Sequence, residues 1–287
     1  MSKIRKAIFP LGGGMGTRLL PITKALPKEI IPIIDKPLIQ YAVEEAISAG
    51  ITELIFITSR NKRIIEDHFD SSPELEKYLI DNNKTEMLSI IENIVPRNIK
   101  FSFIRQSKPL GLGHAILSAE HIINNEEFAV ILADDLIDSK IPAIKQLMLI
   151  FQQTNSNVIA IQDVSLEDVE NYGIAATQKY PKIKNTEEIS SIVEKPTRKS
   201  SPSQTAIVGR YILKPDIFDH LRIITPDIKG EIQLTAAIIS LLKEQKILAY
   251  RYEGQRFDCG TKHGIFYANI YFGKKYHGFN AINKFIE

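Results

Sequence analysis

The chain has 287 residues, 44% of them apolar and 24% charged, and its 36 Lys and Arg against 34 Asp and Glu give a formal net charge of +2. That balance excludes a polybasic nucleic-acid arm or an acidic solvating tail as a dominant feature, while the length suffices to bury a sizeable core in one large α/β domain or two small ones. A single cysteine, Cys259, cannot form an intramolecular disulfide, no Cys/His set has zinc-finger spacing, and the apolar runs fall far short of the ~20 residues of a membrane-spanning helix. The basic N-terminus runs into glycines rather than a long apolar stretch, so no secretory signal is expected and a cytoplasmic protein that handles small molecules is.

Strand-like and helix-like segments alternate along the chain. Residues 4–11, 53–58, 100–105, 128–133 and 158–162 are short runs rich in Ile, Val and Phe, the pattern of strands buried on both faces of a parallel sheet. Between the first two, a helix is predicted to open at Pro37, to bury Ile39, Val43, Ala46 and Ile47, and to close at Gly50. A second helix is predicted over residues 113–123. Further on, 174–177, 189–194 and 206–213 read as strands with polar loops between them, and 231–243 and 264–273 read as helices. The β-α-β-α-β order predicts a Rossmann-like, doubly wound, mostly parallel mixed sheet flanked by helices. We expect one domain over residues 1–263, in two parts at about 1–135 and about 136–263. A helical C-terminal extension over 264–287 would then be a possible contact between subunits.

In such sheets ligands bind outside the carboxyl ends of the strands, so residues that follow strands carry the functional information. The first strand runs into Leu11-Gly12-Gly13-Gly14-Met15-Gly16-Thr17-Arg18-Leu19, with four glycines in five positions. Glycines there allow close backbone approach, and exposed N–H groups can cradle phosphate. The loop is not a P-loop, because no lysine follows a correctly spaced glycine, and it lacks the third glycine of a dinucleotide fingerprint. Arg18 and Lys28 place two cations close behind it, which suits a triphosphate. Asp134 follows the apolar run at 128–133, where a carboxylate would face a ligand, and Asp258 follows a later strand-like segment and a turn.

Taken together, Gly-Gly-x-Gly-Thr-Arg-Leu-x-Pro, Pro27-Lys28-Glu29 and Asp35-Lys36-Pro37-Leu38-Ile39-Gln40-Tyr41 resemble the sugar-1-phosphate nucleotidyltransferases. Within that family, Pro109-Leu110-Gly111-Leu112-Gly113-His114-Ala115, Ala133-Asp134-Asp135, Val193-Glu194-Lys195-Pro196, Gly209-Arg210-Tyr211 and Phe257-Asp258-Cys259-Gly260 resemble the bacterial UTP–glucose-1-phosphate uridylyltransferases. The glycine loop also resembles the thymidylyltransferase branch and does not by itself choose UTP over dTTP. A departure from many relatives is Ala236, which stands where they carry Asp.

The resemblance implies attack by the phosphate oxygen of glucose 1-phosphate on the α-phosphorus of UTP, with pyrophosphate leaving and Mg²⁺ as cofactor. The nucleophile is already an anion, so positioning and electrostatics rather than a general base carry the chemistry. Asp134 and Asp258 would hold the metal, and Arg18 and Lys28 would neutralise phosphate charge. Gln106 and Gly111 would meet the uracil edge, with Gly12 and Gly13 on its other side and Glu29 as a further nucleotide-site candidate that could instead cap a helix. Gly173, Glu194, Lys195 and Val208 would bind the sugar phosphate, Glu194 by accepting hydrogen bonds from sugar hydroxyls. His114 is read as structural. A homodimer or homotetramer is expected. The alternatives are another hexose-1-phosphate nucleotidyltransferase, a thymidylyltransferase above all, and a non-catalytic sugar-nucleotide sensor.

Overall fold

The computed structural model describes residues 4–279, so the last eight residues of the expected C-terminal extension lie outside the described residues. A nine-stranded sheet forms the centre. Its strands are β1 (Lys6–Pro10), β4 (Glu53–Thr58), β5 (Lys100–Arg105), β6 (Phe128–Ile131), β8 (Asn157–Asp163), β9 (Gly173–Lys179), β10 (Thr186–Glu194), β11 (Thr205–Leu213) and β12 (Ile247–Arg251). Two small ribbons pair β2 (Pro32–Ile33) with β3 (Lys36–Pro37), and β7 (Asp135–Asp138) with β13 (Gln255–Asp258). The order in the sheet is β5-β4-β1-β6-β11-β8-β12-β10-β9. The first four strands are mutually parallel, β11 is inserted antiparallel to both neighbours, and β9 and β10 form an antiparallel hairpin at the far edge. The architecture is the mixed α/β sheet that the alternating apolar runs predict.

The sequence dictates this because successive residues of a strand face opposite sides. In β1, Ala7 and Phe9 enter one core while Ile8 enters the other; in β4, Leu54 and Phe56 oppose Ile55 and Ile57; in β6, Ala129 and Ile131 oppose Phe128 and Val130. Continuous apolar runs are therefore needed, and both faces must be covered by helices. On one face lie α1 (Leu38–Ala49) and α7 (Ala143–Thr154). On the other lie α5 (Gly111–Leu117), α6 (Glu120–Ile123), α8 (Ile217–Ile223) and α9 (Leu234–Leu241). Three short helices, α2 (Arg63–Phe69), α3 (Pro73–Asp81) and α4 (Thr85–Glu92), connect β4 to β5, and α10 (Lys262–Tyr276) follows β13. Among the described residues no helix is long and apolar enough to cross a membrane.

Several expected boundaries shift for local reasons. Pro37 caps α1 rather than opening it, because it stays extended to pair with Pro32; Gly50 closes the helix at φ 94° with its N–H on Ala46 and Ile47. The predicted helix over 113–123 is two pieces. The Ser118 hydroxyl donates back to the His114 carbonyl at 2.8 Å where the first piece ends, and the chain tightens before α6. The helix read from 231 begins only at Leu234, since Asp227 gathers the N–H groups of Lys229 and Glu231 into a turn and Ile232 pairs its backbone with Leu110 and Gly113. That last pairing joins the loop before α9 to the segment that opens α5.

Candidate active site

The cleft lies at the carboxyl ends of β1 and β6, as the loop sequences require. It has a volume of about 380 Å³ and is lined on one side by Gly13, Gly14, Arg18 and Lys28, on its floor by Asp134 and Asp258, and on the other side by Tyr172, Gly173, Glu194 and Lys195. A neighbouring lobe of about 410 Å³ is lined by Gly12, Gly14, Thr23, Lys28, Lys62 and Gln106.

The glycine loop leaves β1 and takes left-handed turns at Gly14 (φ 88°) and Gly16 (φ 61°). Thr23 locks the second turn by donating to the Gly16 carbonyl at 2.8 Å, and a methyl group on Gly16 would strike the Thr23 side chain at 2.9 Å. The single helical turn over Thr17–Leu19 then carries Arg18 back toward the cleft.

Asp134 and Asp258 are 124 positions apart, and the β7–β13 ribbon brings them together. Asp258 pairs in register with Asp135, and the Cys259 N–H donates to the Asp134 carbonyl at 2.8 Å. A methyl group on Gly260 would lie 3.0 Å from Asp258 Oδ1, 3.2 Å from Asp134 Oδ2 and 3.4 Å from Arg18 Nη2, so two carboxylates and a guanidinium converge on one point. Arg210 fixes the turn beneath. Buried and paired with Glu45 at 2.7 Å, it donates to the carbonyls of Leu132, Gly209 and Asp135.

Lys28 Nζ donates to Asp134 Oδ2 at 2.5 Å. Burial opposes ionisation of both groups, but the charge and hydrogen bond of Lys28 hold the Asp134 carboxyl below the usual carboxylate range, and Asp134 with Glu29 hold Lys28 above its own. Both groups are charged at neutral pH. Among the described residues no cluster of three or more His, Cys, Asp and Glu side chains is arranged to hold a metal. The aspartate pair supplies two hard oxygen ligands and leaves other positions to phosphate oxygens and water, a donor set that fits Mg²⁺.

On the far side of the cleft, Glu194 ends β10 opposite Gly173 in the hairpin. Its Oε2 accepts from Thr235 Oγ1 at 2.7 Å and lies 3.2 Å from where a Gly173 methyl would sit. Neighbouring strand residues would point to opposite faces. Lys195 escapes that rule because its backbone turns left-handed (φ 45°), held by its N–H on the Tyr172 carbonyl, and its Nζ comes 3.4 Å from Glu194 Oε1. Both side chains thus face the same cleft.

Gln106 is 2% exposed beside Gly12. Its Nε2 meets the Gly111 carbonyl at 3.3 Å and His114 Nδ1 at 2.8 Å, which leaves Oε1 as a buried acceptor with no partner among the described residues. Such an orphan is costly unless a donor arrives, which is what a nucleobase N–H supplies. Two expected site residues stand outside the cleft lining. Glu29 is buried and gives both carboxylate oxygens to Lys62 at 2.8 and 2.9 Å, and the Val208 side chain packs in the core, leaving only its backbone between the cleft residues Ile207 and Gly209. Tyr172 and Arg256 line the cleft although no sequence motif points to roles of their own, and Asp135, a weaker carboxylate candidate than Asp134, lines it too. Alternation in the ribbon was the available signal for Arg256, since it sits two residues before Asp258 and shares its face.

The nucleotidyl transferase family model matches residues 7–274. The chain belongs to that family. Among the nucleotidyl transferases it is similar to UTP–glucose-1-phosphate uridylyltransferase YngB of Bacillus subtilis (strain 168), with 46% identity over 271 residues covering 94% of this chain and 90% of the relative. Among solved structures it is similar to a UDP-glucose pyrophosphorylase complexed with UDP-glucose, at 44% identity and a TM-score of 0.85 over 95% of this chain and all of that one. A UTP-bound UDP-glucose pyrophosphorylase from Acinetobacter baumannii matches at 36% identity and a TM-score of 0.89, covering 99% and 98% of the two chains. The resemblance carried by the uridylyltransferase motifs and these nucleotidyl transferase relatives agree.

Proposed function

We propose that the chain transfers the uridylyl group of UTP to glucose 1-phosphate. A phosphate oxygen of the sugar phosphate bonds to the α-phosphorus, the bond from that phosphorus to the bridging oxygen breaks, and pyrophosphate leaves with the electron pair. The observation that carries this reading is the convergence of Lys28, Arg18, Asp134 and Asp258 between a glycine loop and the Glu194–Lys195 corner. Two anions must meet there, so the groups needed are fixed positive charges, and both cations reach the floor from the nucleotide side.

Residues 1–135 would seat the nucleotide and 136–263 the sugar phosphate. Gln106 and Gly111 would read the base, with Gly12 and Gly13 against its other side. Lys195 would bind the sugar phosphate and Glu194 would accept from sugar hydroxyls, with the backbones of Gly173 and Val208 close by. Glu29 would serve the nucleotide side only by shape, fixing the wall of the lobe through its pair with Lys62. Asp134 and Asp258 would hold Mg²⁺, which when bound offsets phosphate charge. Lys28 would pass from Asp134 to the phosphates as they enter.

Exposed Phe266 and Tyr267 on α10 support a homodimer or homotetramer, which light scattering would test. The buried, unpaired thiol of Cys259 suits a cytoplasmic location.

Pyrophosphate release measured over UTP, dTTP, CTP and ATP, each with glucose, galactose and mannose 1-phosphates, tests the assignment. We expect the highest kcat/KM for UTP with glucose 1-phosphate. A higher value for dTTP, or release from no pair, would refute it.

A further inference from the structure

We propose that Tyr172 and Arg256 are positioning residues that tie the metal-holding carboxylate of Asp258 to the strands that seat the sugar phosphate; the inference rests on the reading of the site given above. The two aspartates on the cleft floor are not held alike. Asp134 has a cation in contact, Lys28 at 2.5 Å. Asp258 has none. Its Oδ1 accepts from the Gly260 N–H at 3.0 Å and its Oδ2 from the Tyr172 hydroxyl at 3.0 Å. Behind Tyr172 stands Arg256, whose guanidinium lies 5.0 Å from the centre of the Tyr172 ring and whose Nη1 donates to the phenol oxygen at 3.4 Å. Arg256 is in turn anchored on Asp135, with Nε donating to Oδ1 at 2.6 Å. The other oxygen of Asp135 accepts from the Gly209 N–H at 2.7 Å.

The chemistry explains the order of the links. Two carboxylates facing one point repel each other and would splay without a metal. A direct arginine on Asp258 would restrain it but would also compete with the ion for its oxygens. A neutral phenol holds one oxygen and leaves the negative charge available. The guanidinium donating to that phenol polarises its O–H into a stronger donor. Both ends of the relay lie on the sugar side. Tyr172 directly precedes Gly173 and its carbonyl holds Lys195, and Gly209 follows Val208 in β11. An ion that fixes Asp258 therefore also fixes the strands around the sugar phosphate, and by linkage the sugar phosphate tightens the ion.

The test is Mn²⁺ binding to the full-length enzyme saturated with UDP-glucose, with free ion followed by electron paramagnetic resonance, for wild type, Tyr172→Phe and Arg256→Lys. Loss of an outer-sphere partner of this kind typically weakens metal binding by 10-fold or more, so Tyr172→Phe is expected to raise the Mn²⁺ Kd about 10-fold with its melting temperature within a few degrees of wild type. The KM for glucose 1-phosphate in Tyr172→Phe should rise at low Mg²⁺ and return toward the wild-type value at saturating Mg²⁺. Arg256→Lys should shift both constants in the same direction. Wild-type Mn²⁺ affinity in Tyr172→Phe, whether or not its melting temperature falls, overturns the relay and leaves the metal reading standing. Absence of Mn²⁺ binding by the wild type overturns the metal reading as well.

Discussion

Replacing Lys62 by Met should expose what Glu29 does. The two side chains are 8% and 3% exposed, and the ammonium reaches both carboxylate oxygens within 2.9 Å. Removing one partner strands the other as a buried, unpaired charge, which costs about 3–5 kcal/mol. For chains of 150–250 residues each kcal/mol moves Tm by roughly 2–4 °C, so a loss of roughly 6–20 °C is expected for Lys62→Met and similarly for Glu29→Gln. The double variant Glu29→Leu with Lys62→Met removes both charges together and should recover most of the loss, because a buried pair is nearly balanced by its own desolvation. Differential scanning calorimetry of the three variants reads the effect directly. Initial rates add the functional half: a pair that shapes the lobe without touching the nucleotide leaves the UTP KM of the double variant within about threefold of wild type, a margin below the ~1 kcal/mol of one lost hydrogen bond. Single variants within 2 °C of wild type, or a double variant as unstable as the singles, would refute the reasoning.

Gly209→Ala would place a methyl group 2.5 Å from Leu132 Cβ and 2.6 Å from Asp135 Oδ2, so Tm should fall by the equivalent of about 1–3 kcal/mol and the glucose 1-phosphate KM should rise. Gly13→Ala meets nothing within 4 Å among the described residues and should leave Tm unchanged while raising the UTP KM, as measured by melting curves and initial rates. Burial pushes the Asp138 carboxyl up, but bonds from Lys275, Tyr271 and Tyr276 outweigh it and hold the group below the carboxylate range. A depressed folded-state pKa stabilises above the unfolded value near 4 and is lost as pH falls below it, so Asp138→Asn should lower Tm at pH 7 and flatten its decline below about pH 4.

Much of this arrangement is legible from sequence because it follows from local chemistry. The strands at 53–58 and 100–105 match their apolar runs residue for residue, the first because it is buried on both faces, the second because Phe101 and Phe103 pack against one core and Ile104 against the other at the sheet edge. Asp134 could be placed at a ligand edge because it follows such a run. The helix over Ala143–Thr154 also carried a readable signal, with Ile144, Leu147, Met148 and Phe151 at helical spacing. The β7–β13 ribbon was harder: two four-residue strands that pair across the chain leave almost no periodicity, and with them went the roles of Asp135 and Arg256. Nor does any local pattern show that Glu29 is spent on Lys62, because that partner belongs to a different element 33 positions away.

The central claim is that Asp134 and Asp258 jointly hold one divalent ion against the nucleotide. A crystal structure of the enzyme with Mn²⁺ and UDP-glucose, with the metal located by anomalous scattering, tests it most directly. The account predicts a single strong peak within roughly 2.3 Å of an oxygen from each aspartate and from the diphosphate. A peak bound by only one of the two carboxylates, or lying away from both, would contradict it.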